Sequence, residues 1–285
     1  MRVLITGGGG QLAHDLHRAF QDKDVTRLRR EDLDVTKPDQ VRAAFASHRP
    51  DVVLNTAALL RLEECETEPE SAYAVNATAP VCLADACRTS GAFLVHFSSN
   101  YVFAGSRNYP YREEDPVGPL SSYGASKVAG EMAVRAAIDR HLIVRTSTLH
   151  GVAGRSTRRG NFVETMLRLA KQGGPVKVVS DQVMSPSYAR DVADSVRRLV
   201  DLGATGTFHI TNGGSCSWYE FACEIFRLAG EQVEVLPISD REWSLPARRP
   251  PYSVLARTGM KRAGLTDPRP WPEALEAYFR ERAAV

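Results

Sequence analysis

Short apolar runs alternate with amphipathic stretches along the first 145 residues of the chain. The apolar runs, at Arg2–Thr6, Val25–Leu28, Asp51–Asn55, Ala92–Phe97 and Leu142–Arg145, are rich in aliphatic and β-branched residues. They lack the apolar–polar alternation of a strand with one wet face, so helices are expected on both faces of the sheet they build. Helical periodicity is predicted near 11–20, 38–47, 69–89 and 122–138. Two more strands, near Val176–Val179 and Thr207–Thr211, continue the alternation. Strands separated by helices in this way make βαβ units and a parallel sheet. Residues 147–174 and 212–270 are richer in Gly, Pro and Arg. The stretch 237–253 holds Pro237, Pro246, Pro250 and Pro251 and is expected to be mostly irregular.

The first run leads straight into Gly7-Gly8-Gly9-Gly10-Gln11-Leu12-Ala13. Gly7, Gly10 and Ala13 keep a G-x-x-G-x-x-G/A spacing. That pattern gives a tight turn, a side-chain-free approach to a pyrophosphate, and a small residue where helix meets strand. The helix start then offers unpaired N–H groups and a positive dipole end to the anion. A flexible glycine turn would carry the same residues, but the position between a first strand and an amphipathic helix favours a dinucleotide. The fold expected is α/β, a Rossmann-type doubly wound parallel sheet with a smaller C-terminal substrate lobe. Residues 1–146 plus about 175–211 form the dinucleotide-binding domain in this reading. About 147–174 and 212–285 form the lobe, laid over the sheet's carboxyl edge.

The second strand bears on which dinucleotide is bound. An acid at its end would hold the ribose diol of NAD. Here it runs Val25-Thr26-Arg27-Leu28-Arg29-Arg30, without an acid. Arg29 and Arg30 suit a 2′-phosphate, so NADP (NADPH) is favoured over NAD; an exposed basic loop is the other reading. Asp34 and Val35 are placed along the adenine.

Bulk properties narrow the partners. Of 285 residues, 43% are hydrophobic and 25% charged, an ordinary globular balance, and the formal net charge is +2. Neither a nucleic acid nor a membrane surface is implied. The five cysteines are an odd number without a C-x-x-C pair, which argues against a disulfide framework or a zinc site and for reduced thiols. No signal peptide precedes the first strand, and no apolar run reaches the roughly 18 residues of a membrane helix. A soluble, cytoplasmic protein, monomer or homodimer, is expected.

Ser121-Ser122-Tyr123-Gly124-Ala125-Ser126-Lys127 contains Y-x-x-x-K. On a helix the i,i+4 spacing puts Tyr123 and Lys127 on one face, with Cβ atoms about 5–6 Å apart. Reducing a ketone requires an acid that protonates the carbonyl oxygen as hydride arrives. A free phenol has a pKa near 10, and lowering it to about 7 takes roughly 4 kcal/mol. One ammonium at about 4 Å and an effective dielectric of about 20 supplies a similar amount. Lys127 is therefore expected to tune Tyr123 and to hold the nicotinamide ribose. The pair is common by chance on helix surfaces, but here it follows a strand ending Phe97-Ser98-Ser99-Asn100. A serine hydroxyl at that carboxyl end is placed to polarise a carbonyl. Either Ser98 or Ser99 can serve, and Ser99 is assigned.

With these residues in hand, the chain resembles the extended short-chain dehydrogenases, and most closely the dTDP-4-dehydrorhamnose reductase family. The likeness runs through residues 7–13, 50–58 (PDVVLNTAA), 63–80 (EECETEPESAYAVNATAP), 98–105 (SSNYVFAG) and 120–127 (LSSYGASK). It continues in 145–147 (RTS), 161–167 (NFVETML), 181–191 (DQVMSPSYARD), 216–222 (CSWYEFA) and 249–255 (RPPYSVL). The resemblance implies reduction at C4 of a dTDP-4-keto-6-deoxyhexose, with Tyr123 as proton donor, Ser99 where the family usually has threonine, and Lys127 on the ribose. It implies Ala57 and Ala58 beside the nicotinamide half, and Gln182, Arg249 and Ser253 on the nucleotide diphosphate. Arg249 suits that chemistry, because a guanidinium grips phosphate oxygens as a fork.

The departures fall at the sugar side. Asn100 stands where the family commonly has an acid; Thr148 and His150 replace a Trp and a Tyr; Leu60 replaces a threonine and Met184 a glycine. Losing an indole removes an apolar wall, and Leu60 and Met184 add bulk. These changes leave a second reading open, a reductase of a different nucleotide-linked 4-keto sugar in a deoxysugar pathway. A third is a non-catalytic NADP-binding regulatory subunit, since residues 92–105 and 111–116 are also similar to the regulatory β-subunit of methionine adenosyltransferase. His150 lies near the crevice and is weighed both as an acid–base group and as a half-buried polar ring. Some relatives use a divalent ion in dimer assembly; the sequence shows no ligand cluster for one, and no metal is expected.

Overall fold

A computed structural model describes residues 1–156 and 160–284. Six strands form the central sheet: β1 (Arg2–Thr6), β2 (Asp24–Leu28), β3 (Val52–Asn55), β4 (Phe93–Ser99), β5 (His141–Thr146) and β6 (Gly206–His209). They lie in the order β6-β5-β4-β3-β1-β2, all parallel. The absence of alternation in the sequence has its explanation in the two faces. Val3, Ile5, Leu54, Val95 and Val144 pack under the helices Gln11–Ala19 and Ala189–Asp201. Their neighbours Leu4, Val53, Leu94 and Ile143 point the other way, against Val41, Leu83 and Val134 of the helices Pro38–His48, Ala79–Ser90 and Ser122–Ala137. Both faces are thus dry, as a doubly wound sheet requires. The chain leaves β1 for β2 on one side and returns to β3 on the other, so a crevice opens at their carboxyl ends.

The stretch 69–89, expected as one helix, is broken. A helix spans Pro69–Tyr73, a π-helical turn spans Ala74–Thr78, and an α-helix resumes at Ala79–Ser90. Pro80 has no N–H to continue the ladder, and the widened turn brings the Asn76 backbone hard against the catalytic-helix candidate. A Cβ on Gly130 would sit 2.1 Å from the Asn76 carbonyl oxygen, so only glycine fits there. The Asn76 side chain accepts from Leu59 N (2.9 Å) and donates to Leu59 O (3.0 Å) and the Ser126 hydroxyl (3.0 Å). One asparagine thereby fastens the loop after β3 to the helix Ser122–Ala137. An additional helix, Leu62–Thr67, precedes this region and was not expected.

The strand Val176–Val179 forms where expected but does not join the central sheet. It pairs in parallel with Val235–Ile238 and packs with the helices Phe162–Gln172, Trp218–Ala229 and Trp271–Ala283 in a second apolar core. The helix Ala189–Asp201 and β6 pack with the central sheet, whereas Val176–Val179 packs in the second core. An apolar run of four residues encodes burial, not which sheet it enters. The proline-rich stretch 237–253 also carries the end of Val235–Ile238 and a short helix, Asp240–Trp243, closed by a Ser239–Glu242 capping box. No helix among the described residues is long and apolar enough to cross a membrane.

Candidate functional site

The turn after β1 adopts the conformation its glycines allow. Gly7 has φ +67°, and a Cβ there would lie 2.7 Å from the Ala57 nitrogen. Its carbonyl accepts from Gly10 N at 3.0 Å, while Gly8 N bonds Leu28 O at 2.8 Å. Nothing lies within 4 Å of a Cβ built on Gly9. Gly10 caps the helix Gln11–Ala19 with no side-chain bond to its first N–H groups. The result is a backbone cradle at a helix N-terminus, open on one side and shaped for an anion. Gln11 turns outward to the lobe, donating to Leu149 O and accepting from Asn161, both at 3.1 Å.

A cleft of about 430 Å³ runs from this turn across the carboxyl ends of the sheet. Gly10, Gln11 and Leu12 line its start, Ala58 and Leu60 one flank, and Ser99, Asn100, Tyr123 and Lys127 its middle; Thr148, Trp218 and Arg249 close the lobe side. Residues separated by more than a hundred positions thus meet in one space. A neighbouring apolar pocket of about 290 Å³, with Phe162, Met166, Trp218, Trp243, Gln182 and Arg249 in its wall, shares Trp218 and Arg249 with the cleft.

Tyr123 and Lys127 lie one turn apart on the helix Ser122–Ala137, whose N-cap Ser121 accepts from Gly124 N at 3.2 Å. Both are buried. Burial, rather than the neighbouring ammonium, dominates the electrostatics of the Tyr123 phenol. Burial pushes Tyr123 up to about 12, opposed by a hydrogen bond with the Ser99 hydroxyl. Lys127 Nζ instead donates to the Phe97 carbonyl at 2.6 Å. Burial pushes Lys127 down to about 8, with the Glu131 charge acting the other way.

The two serines divide cleanly. Ser98 Oγ, also in the cleft wall, donates its hydrogen bond to Glu131 at 2.5 Å. Ser99 is left facing Tyr123, and its hydroxyl also accepts from Tyr101 N and donates to Asn100 Oδ1. Glu131, fully buried, accepts from Arg145 Nε at 2.8 Å and Nη2 at 2.7 Å, and from Arg135 at 2.8 Å. Burial alone would raise its pKa; the Arg145 bonds and charge, with Ser98, outweigh that and hold it at about 2. Arg145 reaches on to Glu113 O (3.2 Å) and His209 Nε2 (3.3 Å). Glu113 in turn accepts from Gly259 N (2.9 Å) and the Thr258 hydroxyl. A buried ionic spine therefore runs from behind Ser99 to the segment that follows Arg249. Glu131 was not singled out in the sequence, although it stands four residues after Lys127, and Arg145 is the one cation in an apolar strand.

The remaining candidates divide by position. Arg29 and Arg30 follow β2 outside the cleft, exposed, and pair loosely with Glu31 (3.8 Å) and Asp34 (4.0 Å). Asp34 accepts from Thr36 N and Oγ1 at 3.0 and 2.6 Å, whereas Val35 is buried in the core beneath. Ala57 abuts Gly7, and Ala58 lines the cleft. Asn100 is buried and donates to Ser253 Oγ at 2.8 Å, so Ser253 meets the cleft only through it. Gln182 donates to Asp240 at 2.5 Å in the apolar pocket. Arg249 donates to Glu63 at 2.6 Å and to Ala247 O at 2.8 Å. Thr148 lines the cleft with φ +38°.

Met184 is corrected: its side chain packs in the lobe core with Phe221 and Cys216 and adds no bulk to the cleft. Of the two readings of His150, the structure favours the packed ring, which is fully rather than half buried. It is buried between Tyr188, Phe221 and Tyr278 at ring distances of 5.5 to 5.7 Å, away from the cleft. Burial pushes its pKa down to about 4. Among the described residues no group of three or more His, Cys, Asp or Glu side chains is arranged to hold a metal ion.

Comparison with known proteins places this geometry. The family model described as the RmlD substrate binding domain matches residues 1–283. The dTDP-4-dehydrorhamnose reductase of Streptomyces griseus is 42% identical, with 98% of this chain and 93% of that protein covered. A probable dTDP-4,6-dihydroxy-2-methyloxan-3-one 4-ketoreductase of Streptomyces antibioticus is 40% identical, over 100% and 97%. The crystal structure of the dTDP-4-dehydrorhamnose reductase of Bacillus anthracis in complex with NADP superimposes with a TM-score of 0.94, at 38% identity over 98% of this chain and 99% of that one.

Proposed function

Because the chain belongs to the RmlD substrate-binding-domain family, we propose that it reduces the C4 keto group of a dTDP-linked 4-keto-6-deoxyhexose with NADPH. The observation that carries this reading is the meeting of the Tyr123 and Ser99 hydroxyls with Lys127 in one cleft that begins at the phosphate turn. The named activities of the relatives from Streptomyces griseus and Streptomyces antibioticus support it, as does the NADP in the Bacillus anthracis structure.

The residues fit the cofactor. The Gly7–Gly10 turn, with its unpaired helix N–H groups and open side at Gly9, suits a pyrophosphate. Arg29 and Arg30, exposed and loosely paired, are free to turn to a 2′-phosphate, with Asp34 and the backbone at Val35 toward the adenine and Ala57 and Ala58 toward the nicotinamide. NADPH, when bound, supplies the hydride. Tyr123, whose raised pKa keeps it protonated at neutral pH, gives its proton to the carbonyl oxygen. Ser99 donates a hydrogen bond to the same oxygen and so favours the developing negative charge. Lys127 is an ammonium below about pH 8; it steadies the phenolate left behind and holds the ribose.

The apolar pocket takes the base, against Phe162 and Trp218, whose ring centroids are 4.6 Å apart. Arg249, common to both cavities, takes the diphosphate between them. Gln182 orients the pocket wall through Asp240, and Asn100, fixed by Ser253, faces the sugar together with Thr148 and Leu60. The reading includes a cytoplasmic enzyme, monomer or homodimer; five free thiols suit a reducing compartment.

The test is a panel of dTDP-4-keto-6-deoxyhexoses with NADPH, products assigned by NMR. Reduction at C4 of a panel member is expected, and no NADPH oxidation with any member would overturn the assignment. A different 4-keto sugar is the second reading, favoured by Leu60 and Thr148 in the cleft wall; the rank order within the panel decides between the two.

A further inference from the structure

Arg249 is the cation at the passage between the two cavities, and it is already engaged. Its guanidinium donates to the Glu63 carboxylate at 2.6 Å, across 186 positions of chain. Glu63 sits on the helix Leu62–Thr67 and is about half exposed, whereas Arg249 is mostly covered, at 44% and 15% side-chain exposure. Burial acts to raise the Glu63 pKa, but the Arg249 bond prevails and holds it below the usual carboxylate value. The carboxylate is therefore an anion at neutral pH, and among the described residues it occupies the one arginine that lines both cavities.

The rest of that short helix is fixed. Glu66 accepts from Ser122 N at 2.7 Å and Oγ at 2.9 Å, at the start of the helix that carries Tyr123. Cys65 is buried against Tyr123, with Leu62 packed beside them. Any adjustment is thereby confined to the Glu63 side chain, which has solvent to turn into.

We propose that Glu63 is a specificity-determining gate, an internal anion that holds Arg249 across the passage and that the diphosphate of the nucleotide substrate must displace. This rests on the assignment of Arg249 to the diphosphate. A dianionic diphosphate competes with one carboxylate for a forked guanidinium and prevails by charge and bidentate geometry. A monophosphate offers one phosphoryl group rather than two to reach across the passage, and an uncharged sugar does not compete. Glu63 thus weakens binding of every nucleotide while sharpening the choice of the diphosphate. A purely structural Glu63 would have the opposite effect on affinity, since it would hold Arg249 in place.

The two roles differ in sign, which calorimetry reads directly. dTDP and dTMP are titrated into the NADP-saturated enzyme and into its Glu63→Gln, Glu63→Asp and Arg249→Gln variants. The gate requires Glu63→Gln to bind dTDP tighter, by about tenfold, because a like charge has left the anion's site. It requires a smaller dTDP-over-dTMP preference than in the parent, and a Glu63→Asp variant, which keeps the charge, close to the parent. A Glu63→Gln affinity equal to or weaker than the parent's, with Arg249→Gln still weakening dTDP, overturns the gate and leaves the diphosphate assignment standing. An Arg249→Gln variant that binds dTDP like the parent overturns both. In the double variant the tightening is lost, because Glu63 acts only through Arg249.

Discussion

The cleft has a floor and a roof, and they are built by different rules. The floor comes from the carboxyl end of β4 and the helix Ser122–Ala137. Its polar groups are buried and multiply bonded: Lys127 to Phe97 O, Ser98 to Glu131, Glu131 to Arg145. The roof comes from loops and from the lobe. Leu60 there is 62% exposed and Trp243 47% exposed, and Arg249 rests on one carboxylate and one carbonyl. Reacting groups on rigid elements hold their geometry, while contacts on loops can vary without disturbing it. The difference teaches where chemistry and choice reside. The floor is suited to one reaction, and the roof decides what is brought to it.

The largest expected effect comes from removing the floor's proton donor. Tyr123→Phe keeps the ring in its pocket with Cys65 and Ala72 and deletes only the hydroxyl. Turnover should fall by about 10²–10⁴-fold, while NADPH affinity, measured by fluorescence titration, stays within a few fold of the parent. A variant that turns over like the parent would sink the assignment of the donor. Next in size is the spine behind the floor. Glu131→Ala leaves Arg145 buried without its carboxylate, which costs about 3–5 kcal/mol of stability. Urea unfolding reads this, and a loss under 1 kcal/mol would mean that the floor does not depend on its ionic core.

What was legible in the sequence follows the same division. β1 and β3 to β5 stand out because both faces are dry, β2 is a half-buried edge strand, and the bounds of all five hold to within a residue or two. The phosphate turn and the Tyr123–Lys127 pair are local patterns on a chain segment, and the structure brings them into one cleft. The partners of each group are not local. Nothing in Val176–Val179 tells that it pairs with Val235–Ile238 rather than with β5 or β6. The ammonium of Lys127 was expected to act on the phenol, and a carbonyl of β4, thirty residues away, also accepts a hydrogen bond from it. Met184 reads as cleft bulk until the second core is seen to enclose it. The break in 69–89 depends on Asn76 and Pro80 meeting Gly130 on another helix.

A third effect is smaller and belongs to the rim of the cofactor side. Arg29 and Arg30 have exposed side chains, so replacing both with serine should leave the fold intact. NADPH should weaken by about 10–100-fold relative to NADH, since each charge-assisted phosphate contact is worth about 1.5–3 kcal/mol at most. Steady-state kinetics with both cofactors measures the ratio. An unchanged ratio would move the 2′-phosphate away from the end of β2 and leave the basic loop without a ligand.

The smallest effect tests whether the roof's own foundation is as well satisfied as the floor. His150 is 1% exposed within an aromatic cluster, where only a marginal contact with the Thr148 backbone offsets the desolvation of its ring nitrogens. His150→Phe should therefore stabilise the protein at pH 7, by about 1 kcal/mol, by removing a buried imidazole whose polar atoms are poorly satisfied. The sign with pH follows from the lowered pKa. Burial takes the imidazole from 6.5 down to about 4, so the folded protein holds it neutral while the unfolded chain protonates. That contribution is complete above about pH 6.5 and is lost as pH falls toward 4. The advantage of the phenylalanine variant should consequently widen by about 2 kcal/mol between pH 7 and pH 5, read as the shift in urea midpoint at each pH. A gap that is the same at both values would show that the ring is reached by water or by a proton acceptor. The roof would then be as fully satisfied beneath its surface as the floor is, and the contrast between them would be confined to the loops.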